Sequence, residues 1–398
     1  MTRYRELDSG FDRYQFTTSP STLGERATNF WVAQLAAMDA SFMGRPNDAL
    51  LYFPIVTLPP KVLPDPEHYR TADARDWIID QAKNHQIVMI NEAHHLPQTR
   101  LLTISLLKPL HDAGFHYLAL ETLRNDGKNP MPSGYPETGT GEYTREPVMA
   151  DLVREALRLG YTLVPYEASE AEFAQAAIRE HAQAHNLATF LSAHPDARLL
   201  VHAGYAHIAK TDAVMISGAN AMATDLIMAT HARVLSVDQT ELIPMSTASQ
   251  AAVDAKSRLV RAFLASGPVV FLDRNNGTAW SSKPEAYDAS VLLPPSPAEV
   301  LRPDWLSLGG IRRKVYVGAD GCADRFPCLI QAIMIGQSPR AIAADQFVVL
   351  YPSEGRAPLF LRDGAYRLRY TTSQGQVVVE RRIDVPHGLG ELPPARKP

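Results

Sequence analysis

Four short apolar segments, each followed by a stretch with helical spacing, constrain the fold of this chain more than any other feature. They are rich in Val, Ile, Leu and Tyr, and they read IVMIN (87–91), HYLALE (116–121), YTLVPYE (161–167) and ARLLVHAG (197–204). Strands that alternate with helices in this way indicate βαβ units and a mostly parallel sheet. Later strands are expected at ARVLSVDQ (232–239) and PVVFLD (268–273). The sequence therefore predicts an α/β fold with a βα-repeat core.

Proline, glycine and capping residues predict where the helices between these strands begin and end. A helix over 97–112 begins with a proline, which suits a first turn, and a helix over 147–159 is followed by a glycine. Ser169 and Glu172 have the spacing of a capping box and predict the start of a third helix, which ends before Pro195.

Changes in composition along the chain predict three regions. Residues 1–70 are expected to form an N-terminal extension with a helix at 22–42, followed by a proline-rich passage that is incompatible with regular helix. Residues 71–309 are expected to form the α/β core, with Thr71 capping its first helix. Residues 310–398 contain short β-type runs separated by turn residues, which is typical of an antiparallel, immunoglobulin-like accessory domain.

The charge balance and the apolar runs exclude two classes of partner. Lys and Arg total 39 against 43 Asp and Glu, and no long basic run is present that would neutralise a nucleic-acid backbone. The longest apolar stretches are much shorter than the roughly 20 residues that span a bilayer. A small-molecule or peptide substrate is therefore the expected partner, without nucleic acid and without a membrane span.

Two cysteines and the first residues of the chain point to different cellular compartments. Cys322 and Cys328, in GCADRFPC, are close enough to form a disulfide, which would persist only in an oxidising compartment; two free thiols are the alternative. The segment MTRYRELDSGFDRYQF has no apolar core of the kind a secretory signal needs. The cysteines favour a periplasmic or secreted protein, and the missing signal favours a cytoplasmic one.

Acids and histidines follow the carboxyl ends of the predicted strands, where ligands gather in an open parallel sheet. Glu92, His94 and His95 follow the first strand, Glu121 ends the second, and His207 follows the fourth. Carboxylates and neutral imidazoles can bind a divalent metal ion or activate water directly. These five residues are predicted to form one catalytic site. If a metal binds, the expected ligands are Glu92, His94, Glu121 and His207.

The local conformation decides which histidine faces the reacting centre. In an extended segment Glu92 and His94 share a side and His95 faces away, whereas in a helical segment Glu92 and His95 approach each other. His94 is preferred here. The long 124–146 segment directly follows Glu121 and suits a lid or substrate wall, with an exposed insertion as the alternative. The side chains expected to contact substrate are Arg100, Tyr135, Tyr143, Arg145, Glu167, Tyr205 and Asp238.

Three other histidines have structural interpretations. His202 alternates with apolar neighbours inside a strand, so a hydrogen-bonded core histidine is expected. His181 and His185 have the i, i+4 spacing of a helical zinc pair, but Ala182 stands where a metalloprotease helix has glutamate. A solvated helix face is therefore expected for this pair.

Two segments, NEAHHLPQTRLLTISLLKPLHDAGFHYLALE and VHAGYAH, resemble the superfamily that joins erythromycin esterases, ChaN-like haem-binding lipoproteins and Tiki/TraB proteins. Its members share a Gly-Glu-x-His or Gly-Glu-x-x-His element, an acid after the second strand and a late Gly-x-x-His. The resemblance covers about residues 85–240, and Asn91 stands where the family has its first glycine. The residues that match are Glu92, His94 or His95, Glu121, Gly204 and His207.

The resemblance implies one of three activities. Esterase-like members hydrolyse an ester, Tiki-like members resemble metal-dependent peptidases, and ChaN-like members bind haem. We expect a hydrolase that acts on an ester or amide bond, with or without a metal ion. A haem-binding protein, with an axial ligand such as Tyr205 or a tyrosine of the 124–146 segment, is the alternative. A scaffold without catalytic activity is a third interpretation.

Overall fold

The structure, a computed structural model, describes residues 2–7, 9–53, 62–173, 175–211, 218–243, 250–294 and 300–386. Its helices are α1 (Thr2–Arg5), α2 (Gly10–Thr18), α3 (Pro20–Thr28), α4 (Phe30–Phe42), α5 (Pro46–Tyr52), α6 (Ala74–Ala82), α7 (Arg100–Asp112), α8 (Pro147–Leu159), α9 (Ala176–Ala193), α10 (Met222–Thr230) and α11 (Gln250–Phe263). Its strands are β1 (Tyr69–Asp73), β2 (Ile87–Glu92), β3 (Tyr117–Leu120), β4 (Thr162–Pro165), β5 (Leu199–Gly204), β6 (Val234–Asp238), β7 (Val269–Asp273), β8 (Ala289–Ser290), β9 (Arg313–Val315), β10 (Cys328–Met334), β11 (Asp345–Val349), β12 (Leu359–Leu361), β13 (Gly364–Thr372) and β14 (Val377–Val385).

A six-stranded parallel sheet, in the order β4-β3-β5-β2-β6-β8, forms the centre of the molecule. Successive side chains of each strand enter opposite core layers, as the period of two requires. Val88 and Ile90 of β2 pack with α6, α7 and α8, whereas Ile87 and Met89 pack with α9 and α10. Because both faces are covered, β2 is apolar along most of its length. The α/β prediction is confirmed.

The helix predicted at 97–112 ends at Asp112 as expected, but its first three residues form a 3-10 turn and α7 begins at Arg100. One of the other helix predictions is confirmed, and two predicted helix starts are wrong. α8 spans the predicted 147–159 and ends at Gly160, whose φ of 91° suits a glycine cap. Thr71 does not cap a helix, because it lies in β1; Asp73 caps α6 instead, by accepting a hydrogen bond from the backbone N–H of Asp76. Glu172 bonds Ser169 within a turn, and α9 begins only at Ala176.

The strand predicted at 268–273 exists but lies outside the parallel sheet. It is β7, and it forms a two-stranded antiparallel sheet with β1. The helix predicted at 22–42 is two helices, α3 and α4. Asn29 separates them, because its side chain caps α4 by accepting from the backbone N–H groups of Trp31 and Val32.

The C-terminal part of the chain is antiparallel, as predicted. One sheet has the order β11-β10-β13-β14, and β9 pairs with β12 in a second. Cys322 and Cys328 form a disulfide within this region. The immunoglobulin-like character of this region stays a prediction. The division of the chain into three regions at residues 70 and 309 stays a prediction as well.

The N-terminal helices pack on this β region. Phe11 of α2 and Phe42 of α4 share an apolar cluster with Leu329 of β10 and Val348 of β11. The two ends of the described chain therefore stabilise each other. Within the described ranges, no helix combines the length and apolar character that crossing a membrane requires.

Leucines in two helices allow a matched test of this core. Leu106 of α7 is fully buried beneath the sheet, whereas Leu51 of α5 is exposed. We expect Leu106→Ala to lower the free energy of unfolding by about 2–5 kcal/mol through lost burial and a residual cavity. Leu51→Ala should change it by less than about 0.5 kcal/mol. Urea unfolding of both variants measures the difference, and equal effects would contradict the assignment of the core.

Candidate active site

Three neighbouring strands, β3, β5 and β2, bring the predicted residues together at their carboxyl ends. Glu92 is the last residue of β2, and it lies beside Gly204, the last residue of β5. Glu121 directly follows β3 and accepts a hydrogen bond of 2.5 Å from the backbone N–H of Gly204. His207 lies in the helical turn that follows β5. The sheet topology itself therefore creates the cluster.

Glu92 is buried and held by three cationic or imidazole groups. Nε of Arg100 donates to its Oε2 at 2.5 Å, Nδ1 of His94 lies 3.0 Å from its Oε1, and Nε2 of His202 lies 3.3 Å from its Oε2. Burial would raise the pKa of Glu92, but the Arg100 charge and the two histidines hold this pKa well below its usual range. Glu92 is therefore an ionised carboxylate at neutral pH.

Arg100 has a positioning role and no exposed surface. Its guanidinium also donates to Glu146 at 2.6 Å and to the backbone oxygen of His94 at 3.2 Å. Glu146 in turn caps α8, by accepting from the backbone N–H groups of Val148 and Met149. Arg100 was predicted to contact substrate; the structure places its side chain in the interior, bonded to Glu92 and Glu146, and the substrate contact stays a prediction.

His94 is the histidine that faces the cluster. Its ring stacks on Tyr143, with centroids 3.7 Å apart and an interplanar angle of 12°, and meets the ring of Tyr205 edge-on at 5.1 Å. With Nδ1 donating to Glu92, Nε2 keeps a lone pair. Nε2 lies 4.0 Å from Oε1 of Glu121. That distance is too long for a direct hydrogen bond, and one water molecule can bridge it.

Gly204 leaves room for this arrangement. Its φ of −76° and ψ of 141° suit any residue. A methyl group at this position, however, would overlap Nε2 of His94 and come within 3.0 Å of Oε2 of Glu121. The glycine is required by space and not by backbone conformation.

Glu121 also forms an ion pair with Arg179 of α9. One nitrogen of Arg179, Nη2, donates to Glu121 at 2.6 Å and to Glu167 at 2.5 Å. Burial would raise the pKa of Glu121, but the charges of His207 and Arg179 hold this pKa well below its usual range. Glu121 is therefore ionised as well.

His207 lies between two carboxylates. Its Nε2 is 3.4 Å from Oε1 of Glu121, and its Nδ1 is 2.6 Å from Oε1 of Glu180. Burial lowers the pKa of His207, but the two carboxylates outweigh burial and raise this pKa to about 10. The side chains of His207 and Arg179 are 12% and 16% exposed, so the cluster reaches solvent on their side.

His95 lies outside the cluster. Its ring stacks on Phe53 with centroids 3.7 Å apart, and its Nδ1 is 3.0 Å from the hydroxyl of Tyr205. Burial, together with the positive charges nearby, lowers the pKa of His95 to about 3. This histidine is therefore neutral at physiological pH. It packs against Phe53 and forms a hydrogen bond with the hydroxyl of Tyr205.

Three residues predicted to contact substrate lie elsewhere. The hydroxyl of Tyr135 accepts from the backbone N–H of Ser338, so its side chain packs on the C-terminal β region. Arg145 lies 3.6 Å from Glu142 on the protein surface. Asp238 accepts hydrogen bonds from Asn91 and Thr240, and these contacts fix the end of β6. Tyr143, Tyr205 and Glu167 do contact members of the cluster.

Sequence reasoning missed Arg179 and Glu180. Both come from α9, whose start was misplaced, and only packing of α9 against β5 brings them to Glu121 and His207. His202 is a buried, hydrogen-bonded histidine, with Nδ1 2.9 Å from Thr103, but its Nε2 also faces Glu92. His181 and His185, which have the spacing of a helical zinc pair, are exposed on α9.

The donor groups do not fit a divalent metal ion. Both oxygens of Glu92 already face Arg100 or His94, and those of Glu121 face Gly204 and Arg179. Within the described ranges, the only three metal-binding side chains that come close enough to share an ion are the exposed Asp65, Glu67 and His68. Tyr205, considered as a haem ligand, is engaged with His95.

Comparison of the chain with protein-family profiles, with curated proteins and with solved structures finds no match. The superfamily resemblance therefore stays a prediction that depends on the motifs alone.

A single methyl group should disturb the site. We expect Gly204→Ala to lower the free energy of unfolding by about 1–3 kcal/mol, because the methyl overlaps His94 and the buried site is tightly packed. Gly267→Ala is the matched control, because nothing lies within 4 Å of its added Cβ. The control should be unchanged or slightly more stable. Urea unfolding distinguishes the two, and a harmless Gly204→Ala would contradict the close approach of His94.

His207 should make stability depend on pH. The folded state holds its proton up to about pH 10, whereas the unfolded chain releases it near 6.5. The free energy of unfolding should therefore fall with rising pH between these values, by at most about 1.4 kcal/mol per pH unit. His207→Gln lacks this contribution, so the stability difference between wild type and variant should shrink from pH 6.5 to 10. A difference independent of pH would show that His207 is not protonated in the folded state.

Proposed function

We propose that the protein is a hydrolase that cleaves an ester or amide bond, with His94 as the general base. The observation that carries this proposal is the position of His94 between two ionised carboxylates. Glu92 holds Nδ1 at 3.0 Å, and Nε2 faces Glu121 at 4.0 Å, a spacing that one water molecule could bridge. A base oriented by a buried carboxylate is the arrangement that water activation needs.

The proposed reaction begins with transfer of a water proton to Nε2 of His94. The hydroxide oxygen attacks the carbonyl carbon, and the C=O electron pair moves onto the carbonyl oxygen. When the tetrahedral intermediate collapses, the bond to the leaving group breaks and Nε2 returns the proton to that group. Glu92 stays ionised throughout and stabilises the imidazolium form of His94.

Arg179 and His207 supply positive charge on the solvent side of the cluster. Their side chains are 16% and 12% exposed, and that of Glu167, which is bonded to Arg179, is 15% exposed, so a carbonyl group that approaches from solvent can contact these groups. Cations at this position would stabilise the oxyanion that develops in the transition state. This arrangement supports the esterase branch of the resemblance, and it requires no metal ion.

Substitution of His94 tests the proposal. A panel of nitrophenyl esters and peptides is assayed first with the wild-type protein to find a substrate. We expect His94→Gln to lower kcat/KM by about 10²–10⁴-fold, because the variant lacks the base. His181→Gln is the matched control, since His181 is exposed on α9, and it should keep wild-type activity.

Two results would overturn the proposal. Undiminished activity of a folded His94→Gln variant would remove His94 from catalysis. If the wild type hydrolyses nothing on the panel but binds added haem with a Soret absorption band, the haem-binding alternative replaces the hydrolase. Thermal unfolding of each variant shows whether a loss of activity reflects misfolding.

A further inference from the structure

A second cluster of charged residues lies where α8 meets the C-terminal β region. Asp151 of α8 accepts hydrogen bonds from Arg312 at 3.2 Å and from Arg362 at 3.0 Å. Arg362 also bonds Glu155, one turn further along α8, at 3.1 Å. Arg154, on the same helix, donates through Nη2 to groups of the C-terminal region. We call Asp151, Arg154, Glu155, Arg312 and Arg362 the junction cluster.

Part of the donor capacity of the junction cluster is unused. Among the described residues, Nε and Nη1 of Arg154 and Nη1 of Arg312 are buried and have no hydrogen-bond partner. Arg312 is almost completely buried. Buried guanidinium donors without partners are costly, and native proteins pair them with an acceptor. The three free N–H-bearing atoms therefore point to an acceptor that the described chain does not supply.

The charges of the region are also unbalanced. In the junction cluster, Arg154, Arg312 and Arg362 surround two carboxylates, those of Asp151 and Glu155, which leaves one positive charge in excess. Burial, together with the charges of Arg312 and Arg362, lowers the pKa of Arg154 to about 10 despite the nearby Asp151.

We propose that the junction cluster binds a small oxyanion of the phosphate or sulfate class. Its oxygens would accept from the free nitrogens of Arg154 and Arg312, and its negative charge would offset the excess positive charge. Guanidinium groups suit this ligand because their planar donors match the geometry of phosphate oxygens. The side chain of Arg362 is 23% exposed, so the junction cluster reaches solvent at this residue. The site is separate from Glu92 and His94, so this inference does not depend on the proposed hydrolase.

Calorimetric titration of the full chain with inorganic phosphate tests the site. Phosphate and sulfate should bind saturably and raise the melting temperature, while acetate at equal ionic strength should do so at least about tenfold more weakly. Arg154→Met should lower phosphate affinity by about tenfold or more, because it removes two charge-assisted hydrogen bonds. Arg154→Lys should bind with an intermediate affinity, since it keeps the charge without the planar donors.

Arg382→Met is the matched control. Arg382 pairs with Asp384 on the surface and is 64% exposed, so its removal should leave phosphate binding unchanged. Lack of saturable binding by the wild type, equal binding of acetate, or full binding by folded Arg154→Met would overturn the proposal.

Discussion

The buried ion pair between Arg100 and Glu92 is the interaction on which the candidate site depends. Removing one partner of such a pair leaves an uncompensated charge in the interior, at a cost of about 3–5 kcal/mol. Arg100 also bonds Glu146 and the backbone of His94, so one guanidinium joins the end of β2, the turn after it and the start of α8. The orientation of the proposed base follows from these contacts, because Glu92 can hold His94 only where Arg100 has placed its carboxylate.

The cluster has two charged halves that meet at the imidazole of His94. The buried half, around Glu92, is enclosed by protein and keeps its ionisation through fixed contacts. The other half, around Glu121, contains the two cations that reach solvent, Arg179 and His207. In the proposed hydrolase, the interior half would orient the base and the solvent-accessible half would contact the ligand, which is the division that a preorganised active site requires.

Periodic features of the sequence predicted the sheet and much of the site, whereas tertiary packing decided the rest. β2 and α8 were predictable because their apolar spacing and terminal residues agree, and strand ends of a parallel sheet necessarily converge. Thr71 fits a cap locally, but pairing with β7 places it in a strand. Arg179 carries no local signal, since it reaches Glu121 only through the packing of α9. Tyr135 belongs to the predicted lid, yet the C-terminal region binds it.

α8 connects the site to a distant part of the chain. Its first turn is tied to Arg100 through Glu146, and the same turn is held from the other side by Arg312, which donates to the backbone oxygen of Pro147. The C-terminal β region therefore acts as a brace for the helix that anchors the buried half of the site. The contact with Arg312 and the contact with Arg100 involve adjacent residues, so a single helical turn joins the accessory region to the residues that hold Glu92 beside His94.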